Sequence, residues 1–190
     1  MGPIDPQEPD NVLDRIKRGL AGYVSYLAAC EMNDAFSEYV LYEPILRILM
    51  ARGFSVECEA ECPGVVQPAK GDKKRLDFDA NGQGLRFAIE VKWVKAPGEP
   101  KQGPRNPNLP PLRLDVVSDH EKLLGYLNSH PDARSFLCVF GRESHIMNLA
   151  LDPNNFEQHG VSRIAGFETT KFGCTMYELR RPAPAAAVPT

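Results

Sequence analysis

The chain has 190 residues, with 22 Lys and Arg against 25 Asp and Glu, for a formal net charge of -3. That balance excludes a polycation, so any contact with nucleic acid has to come from local basic patches and not from the overall field. No apolar run reaches transmembrane length, and the chain is long enough for one substantial core, which predicts a single globular domain with no membrane span.

The opening residues, MGPIDPQEPD, are polar and proline-rich. They are expected to be disordered over residues 1–10 and to form neither a signal peptide nor an anchor, which points to the cytoplasm. From Asn11 to Met32, Leu13, Ile16, Leu20, Tyr23, Val24 and Leu27 recur at helical intervals. Asp34 suits the cap of a second helix running to Ala51, and Gly53 suits its end. Phe54 to Cys62 alternates, with Phe54, Val56, Cys58 and Ala60 on one face and Ser55, Glu57, Glu59 and Glu61 on the other, as a half-exposed strand does.

Lys73 to Lys95 predicts a hairpin, with Asn81-Gly82-Gln83-Gly84 supplying the turn. Ala96 to Leu112 is crowded with proline, glycine and asparagine and predicts a long surface loop. Asp115 to Asn128 follows as a helix that buries Val116, Leu123, Leu124 and Leu127, then Ser135 to Phe140 as an apolar strand. One or two more strands are expected between Ile146 and Leu179, and a disordered tail over 181–190. The order helix, strand, strand, strand, helix, strand describes an α/β core around a mixed sheet, in one domain spanning 11–180. The five cysteines are odd in number and read as free, buried thiols of a reducing compartment. Cys58 and Cys62 lack the second Cys/His pair that structural zinc requires.

The hairpin carries the chemistry. Side chains alternate with period two, so Arg75, Asp77 and Asp79 share one face while Leu76, Phe78 and Ala80 take the other. In the second strand Arg86, Ala88, Glu90 and Lys92 share a face, opposite Leu85, Phe87, Ile89, Val91 and Trp93. Pairing Ala80 with Leu85 sets Asp79 against Arg86, a cross-strand ion pair that makes Asp79 structural. The same register makes Asp77 and Glu90 diagonal neighbours able to share a hard divalent ion such as Mg²⁺, which wants oxygen ligands and keeps several waters. On the second helix, Glu38 falls among Leu41, Ile45, Ile48 and Leu49, where a carboxylate needs a compensating cation. The bland alternative is that Glu38 simply favours the positive end of the helix dipole. Glu43 lies on the polar sector, and His120 is the one histidine on an element that could border the site.

These segments, FSEYVLYEPILRILMARG, RLDFDA, FAIEVKW, SDHEKL and SFLCVF, resemble the PD-(D/E)XK (restriction-endonuclease-like) nuclease superfamily in motif and in element order, over about Asp34 to Gly141. Leu76 stands where the motif's proline would be. The resemblance implies Asp77 and Glu90 as metal ligands, with the Val91 carbonyl as a third, Lys92 as the catalytic lysine and Glu38 as the helix-borne acid. It implies a Mg²⁺-dependent nuclease (Mn²⁺ substituting) that cuts DNA by metal-activated water, with Lys73, Lys74, Arg75 and Lys95 on the phosphate backbone and a homodimer where both strands of a duplex are cut. Two alternatives stand beside it. One is a catalytically silent nuclease-fold protein acting as an adaptor, immunity or nucleic-acid-binding module. The other is an ordinary α/β domain in which Asp77 and Glu90 pair with Arg75 and Lys92.

Overall fold

Helical periodicity near the N-terminus builds the first layer of the fold. In this computed structural model, which describes residues 9–30, 38–69, 71, 73–94, 111–142, 151, 155–164 and 172–181, α1 (Pro9–Ala29) buries Val12, Leu13, Ile16, Leu20, Val24 and Leu27 along one stripe. A 3₁₀ turn (Glu38–Leu41) leads into α2 (Tyr42–Ala51), which buries Ile45 and Leu49. The expected helix from Asp34 is therefore shorter, and Asp34 itself lies outside the described residues. Pro44 supplies the reason: its ring would clash with the carbonyl of Val40 if the α-helix continued upstream, so the chain enters through a 3₁₀ turn instead.

Six strands follow: β1 (Ser55–Glu61), β2 (Arg75–Gly82), β3 (Leu85–Val94), β4 (Arg134–Arg142), β5 (Phe156–Ile164) and β6 (Phe172–Leu179), with α3 (Pro111–Ser129) between β3 and β4. They form one mixed sheet in the order β1-β2-β3-β4-β6-β5, in which only β3 and β4 run parallel, joined through α3. The protein is thus α/β, a six-stranded mixed sheet between helices. α1 and α2 cover one face, over Phe78, Phe87, Ile89, Val91, Phe136 and Cys138. α3 covers the other with Leu123, Tyr126 and Leu127 against Ala88, Leu137 and Val139. α3 starts at Pro111, inside the segment expected to be loop; the rest of that loop, the N-terminal residues 1–8 and the tail residues 182–190 lie outside the described residues. No helix among the described residues is long and apolar enough to cross a membrane.

The hairpin pairs two residues away from the expected register, with Gly82 opposite Leu85 and Asp79 opposite Ala88. Gln83 (φ 54) and Gly84 (φ 74) make the two-residue turn, and Asn81-Gly82 continues the strand. Packing decides this: a Cβ on Gly82 would come within 2.8 Å of the Gly53 carbonyl oxygen, and the Gln83 amide donates to the Arg52 carbonyl at 2.7 Å. A shift of two preserves every face, whereas a shift of one would have inverted them. Two face assignments do change. The β1–β2 ladder skips the Glu59/Asp77 pair, Glu59 takes φ 53, and beyond it Ala60 and Leu76 pack under α3 while Val56 and Phe78 stay under α1 and α2. Cys58, expected inside with Ala60, is exposed, as is Cys30; Cys62, Cys138 and Cys174 are buried, and all five thiols are free.

Candidate functional site

The β2–β3 ladder ends at Phe78 and Ile89. Its next pair would be Asp77 and Glu90, placed directly opposite each other instead of diagonally. There the side chain of Asp77 replaces the ladder: the Val91 N–H donates to Asp77 Oδ2 at 2.6 Å, and the Tyr42 hydroxyl donates to Asp77 Oδ1. Tyr42 also lies 3.1 Å from Glu59 Oε1, and its ring packs on Phe78 at 4.8 Å. Burial, then the hydrogen bond to Asp77 and the charges of Asp77 and Glu59, push the Tyr42 hydroxyl far above its ordinary range, so it stays a donor.

Glu90 is 1 % exposed. Its Oε2 accepts from Lys122 Nζ at 2.5 Å, while its Oε1 is buried with no hydrogen-bond partner. Burial raises the Glu90 carboxyl well above the usual range and the charge of Asp77 raises it further, with Lys122 pulling it back. Lys122 also donates to the Arg75 carbonyl at 3.0 Å and lies 3.3 Å from Asp119 Oδ1. Asp119 Oδ2 in turn lies 3.3 Å from Lys92 Nζ. Burial lifts the Asp119 carboxyl, and the two lysines oppose that shift. For Lys122, burial works against the ammonium, yet Glu90 and Asp119 outweigh it and hold its pKa above the ordinary value. The result is a buried chain of alternating charge, Glu90–Lys122–Asp119–Lys92, with Asp77 beside its first member.

The structure therefore brings Asp77, Glu90 and Lys92 to one end of the β2–β3 pair, but Lys92 is engaged by Asp119, which the sequence reading did not assign. Glu38 opens the 3₁₀ turn instead of lying on an α-helical face, and its side chain lies outside the described residues, as does Lys95. Lys73 pairs with Glu61 at 3.6 Å and Lys74 with Glu121 at 3.2 Å, so acids partly neutralise the expected basic patch; Arg75 is exposed. Asp79 takes the structural role expected of it, with Arg86 Nη2 at 2.9 Å and the Tyr126 hydroxyl at 2.5 Å. Glu43 is exposed and lies 3.5 Å from Arg47. The ring of His120 packs edge-on against Phe156 at 5.6 Å.

Tyr42, Asp119 and Lys122 were missed. The last two left a signal: Asp119, Lys122 and Tyr126 sit at helical spacing within the stripe that holds Leu123 and Leu127, so charges fall on a face that must be buried. Among the described residues no three His, Cys, Asp or Glu side chains converge as metal ligands. Asp77 and Glu90 nonetheless fit a hard ion that keeps most of its waters, because Glu90 Oε1 is an oxygen donor buried without a partner. Comparison with family models, curated proteins and solved structures gives no match.

Proposed function

We propose that this protein is a Mg²⁺-dependent nuclease with a restriction-endonuclease-like core of the PD-(D/E)XK type, acting on DNA in the cytoplasm. The observation that carries the reading is Glu90 Oε1, buried and unpartnered where β2 and β3 part around Asp77. Leaving such an oxygen unsatisfied costs on the order of 1–3 kcal/mol, and a cation shared with Asp77 relieves that cost. The helix–strand–strand–strand–helix–strand order supports the same reading.

Mg²⁺, or Mn²⁺ in its place, would supply positive charge at the scissile phosphate and activate the attacking water. Asp77 and Glu90 would hold it, with the Val91 carbonyl and Glu38 as further oxygen donors. Tyr42 and the Val91 N–H fix the Asp77 carboxylate in one orientation, so the site loses little entropy on loading. Lys92, positioned by Asp119, offers a proton donor to the phosphate oxygen on which charge builds as the phosphodiester opens. Arg75, with Lys73, Lys74 and Lys95, would contact the sugar-phosphate backbone without reading bases. Cutting both strands of a duplex would call for a homodimer.

A specific observation favours a second reading, a silent nuclease-fold module. Lys122 on Glu90 and Asp119 on Lys92 already compensate the site's charges from within. Plasmid nicking separates the two readings. With Mg²⁺ or Mn²⁺ the protein should convert supercoiled to open-circular DNA, and Lys92→Ala and Asp77→Ala should each abolish that conversion while the fold persists by circular dichroism. Nicking that survives both substitutions sinks the assigned site; a folded protein that cuts no nucleic acid with either metal selects the silent module.

A further inference from the structure

The charge already in contact with Glu90 is an ammonium. Lys122 Nζ lies 2.5 Å from Glu90 Oε2, 3.0 Å from the Arg75 carbonyl oxygen and 3.3 Å from Asp119 Oδ1. The ammonium therefore donates two hydrogen bonds inside the protein and forms an ion pair with Asp119, and its side chain is only 13 % exposed. Glu90 is unequal to that arrangement: one of its oxygens is bonded to Lys122 and the other to nothing.

We propose that Lys122 is the resident cation of this site and that a divalent ion loads by exchange with it. In the exchange the ammonium releases Glu90 Oε2 and stays with Asp119 and the Arg75 carbonyl. The proposal rests on the metal-site reading above and adds to it what sets the metal threshold. Charge supports the exchange. With all three carboxylates ionised, Asp77, Glu90 and Asp119 set three negative charges against the two positive charges of Lys92 and Lys122, so a divalent ion turns the excess from negative to positive. Adding that ion while the lysine still holds Glu90 sets a double and a single positive charge against one carboxylate. Asp119 lets the lysine give way without entering solvent, because it sits one helical turn away on α3 and already binds the same ammonium. The consequence is a site in which Glu90 keeps a cationic partner when metal is scarce and which fills only when the ion outcompetes an attached rival at high effective concentration.

Calorimetric titration of Mg²⁺ and Mn²⁺ into the full chain tests this, using wild type, Lys122→Met, Lys122→Arg and Asp77→Asn. Removing the rival should tighten metal binding by roughly tenfold or more, the scale of repulsion between a single and a double charge a few ångströms apart even when well screened. Lys122→Arg should return affinity toward wild type, and Asp77→Asn should weaken it. Equal affinity in Lys122→Met and wild type, lost in Asp77→Asn, overturns the exchange and leaves the metal site standing; absence of binding in every folded variant overturns both. Lys122→Met strips a buried carboxylate of its partner and can unfold the chain, so a second readout uses the wild type. The Lys122 Nζ resonance in nitrogen-15 spectra, assigned by its loss in Lys122→Arg, should shift as Mg²⁺ saturates the site. A resonance that stays in place at saturation refutes the exchange.

Discussion

Replacing Asp119 with Asn keeps the volume of the side chain and removes the charge that joins Lys92 to Lys122. Both ammonium groups lie 3.3 Å from its carboxylate, and Asp119 is 2 % exposed. At an effective dielectric of about 20, each contact is an attraction of about 5 kcal/mol, most of which the burial of the three charges cancels. Removing one member of such a set costs about 3–5 kcal/mol, because the charges left behind stay desolvated. Lys92 is 22 % exposed and can recover some hydration, so the lower end, about 3 kcal/mol, is the expected loss. For a chain of this length that lowers the melting midpoint by about 6–12 °C. Guanidinium unfolding of wild type and Asp119→Asn at neutral pH measures the loss directly, with an unchanged m-value as the check that the denatured state is the same. A double-mutant cycle with Lys92→Met should return a coupling of about 1 kcal/mol or more. A loss below about 0.5 kcal/mol, the level of an exposed ion pair, would show that water screens the chain of charges and that Asp119 does not position Lys92.

Two further outcomes follow from the same packing. Glu90 holds its proton in the folded state to a higher pH than in the unfolded chain, because burial and Asp77 raise its pKa. Between the ordinary carboxylate range and that raised value the unfolded chain has released a proton that the folded chain keeps, so stability falls as pH rises through the window. Urea midpoints measured from the ordinary carboxylate range upward should decline with rising pH in wild type and run flatter in Glu90→Gln; equal slopes would place the titration elsewhere. Gly125 lies where α3 meets the turn after β1, and a Cβ there would come within 2.5 Å of Val65 Cγ2 and 3.0 Å of the Pro63 carbonyl oxygen. Gly125→Ala should therefore destabilise by about 1–3 kcal/mol from overpacking, outweighing the roughly 1 kcal/mol that alanine gains in a helix. A variant that unfolds at higher denaturant than wild type would refute the close approach.

The face of each hairpin residue was legible because a strand repeats every two residues, and the two-residue shift left the alternation intact at Phe78, Ala80, Phe87 and Ile89. The register itself was not legible. It depends on Gly82 meeting the Gly53 backbone, a contact between segments some thirty residues apart that overrides the local preference of Asn-Gly for the turn. Pro44 did encode where α2 begins, through the clash of its ring with the Val40 carbonyl, while the positive φ of Glu59 had no counterpart in sequence and moved Ala60 and Leu76 to the other face.

The candidate site divides along the same line. Asp77, Glu90 and Lys92 stood out because strand periodicity alone places them together. Asp119 and Lys122 announced only that a buried helical stripe carries charge, since a buried carboxylate or ammonium demands a partner without naming it. Naming the partner needs the third dimension: α3 crosses β3 so that Lys122 reaches Glu90 and Asp119 reaches Lys92. The sequence sets Glu90 and Lys92 on one face of a strand, which suggests that they serve one site, as metal ligand and catalytic lysine. In the fold each is paired with α3, so under the proposed function that helix, more than the hairpin, would set how strongly a cation is held.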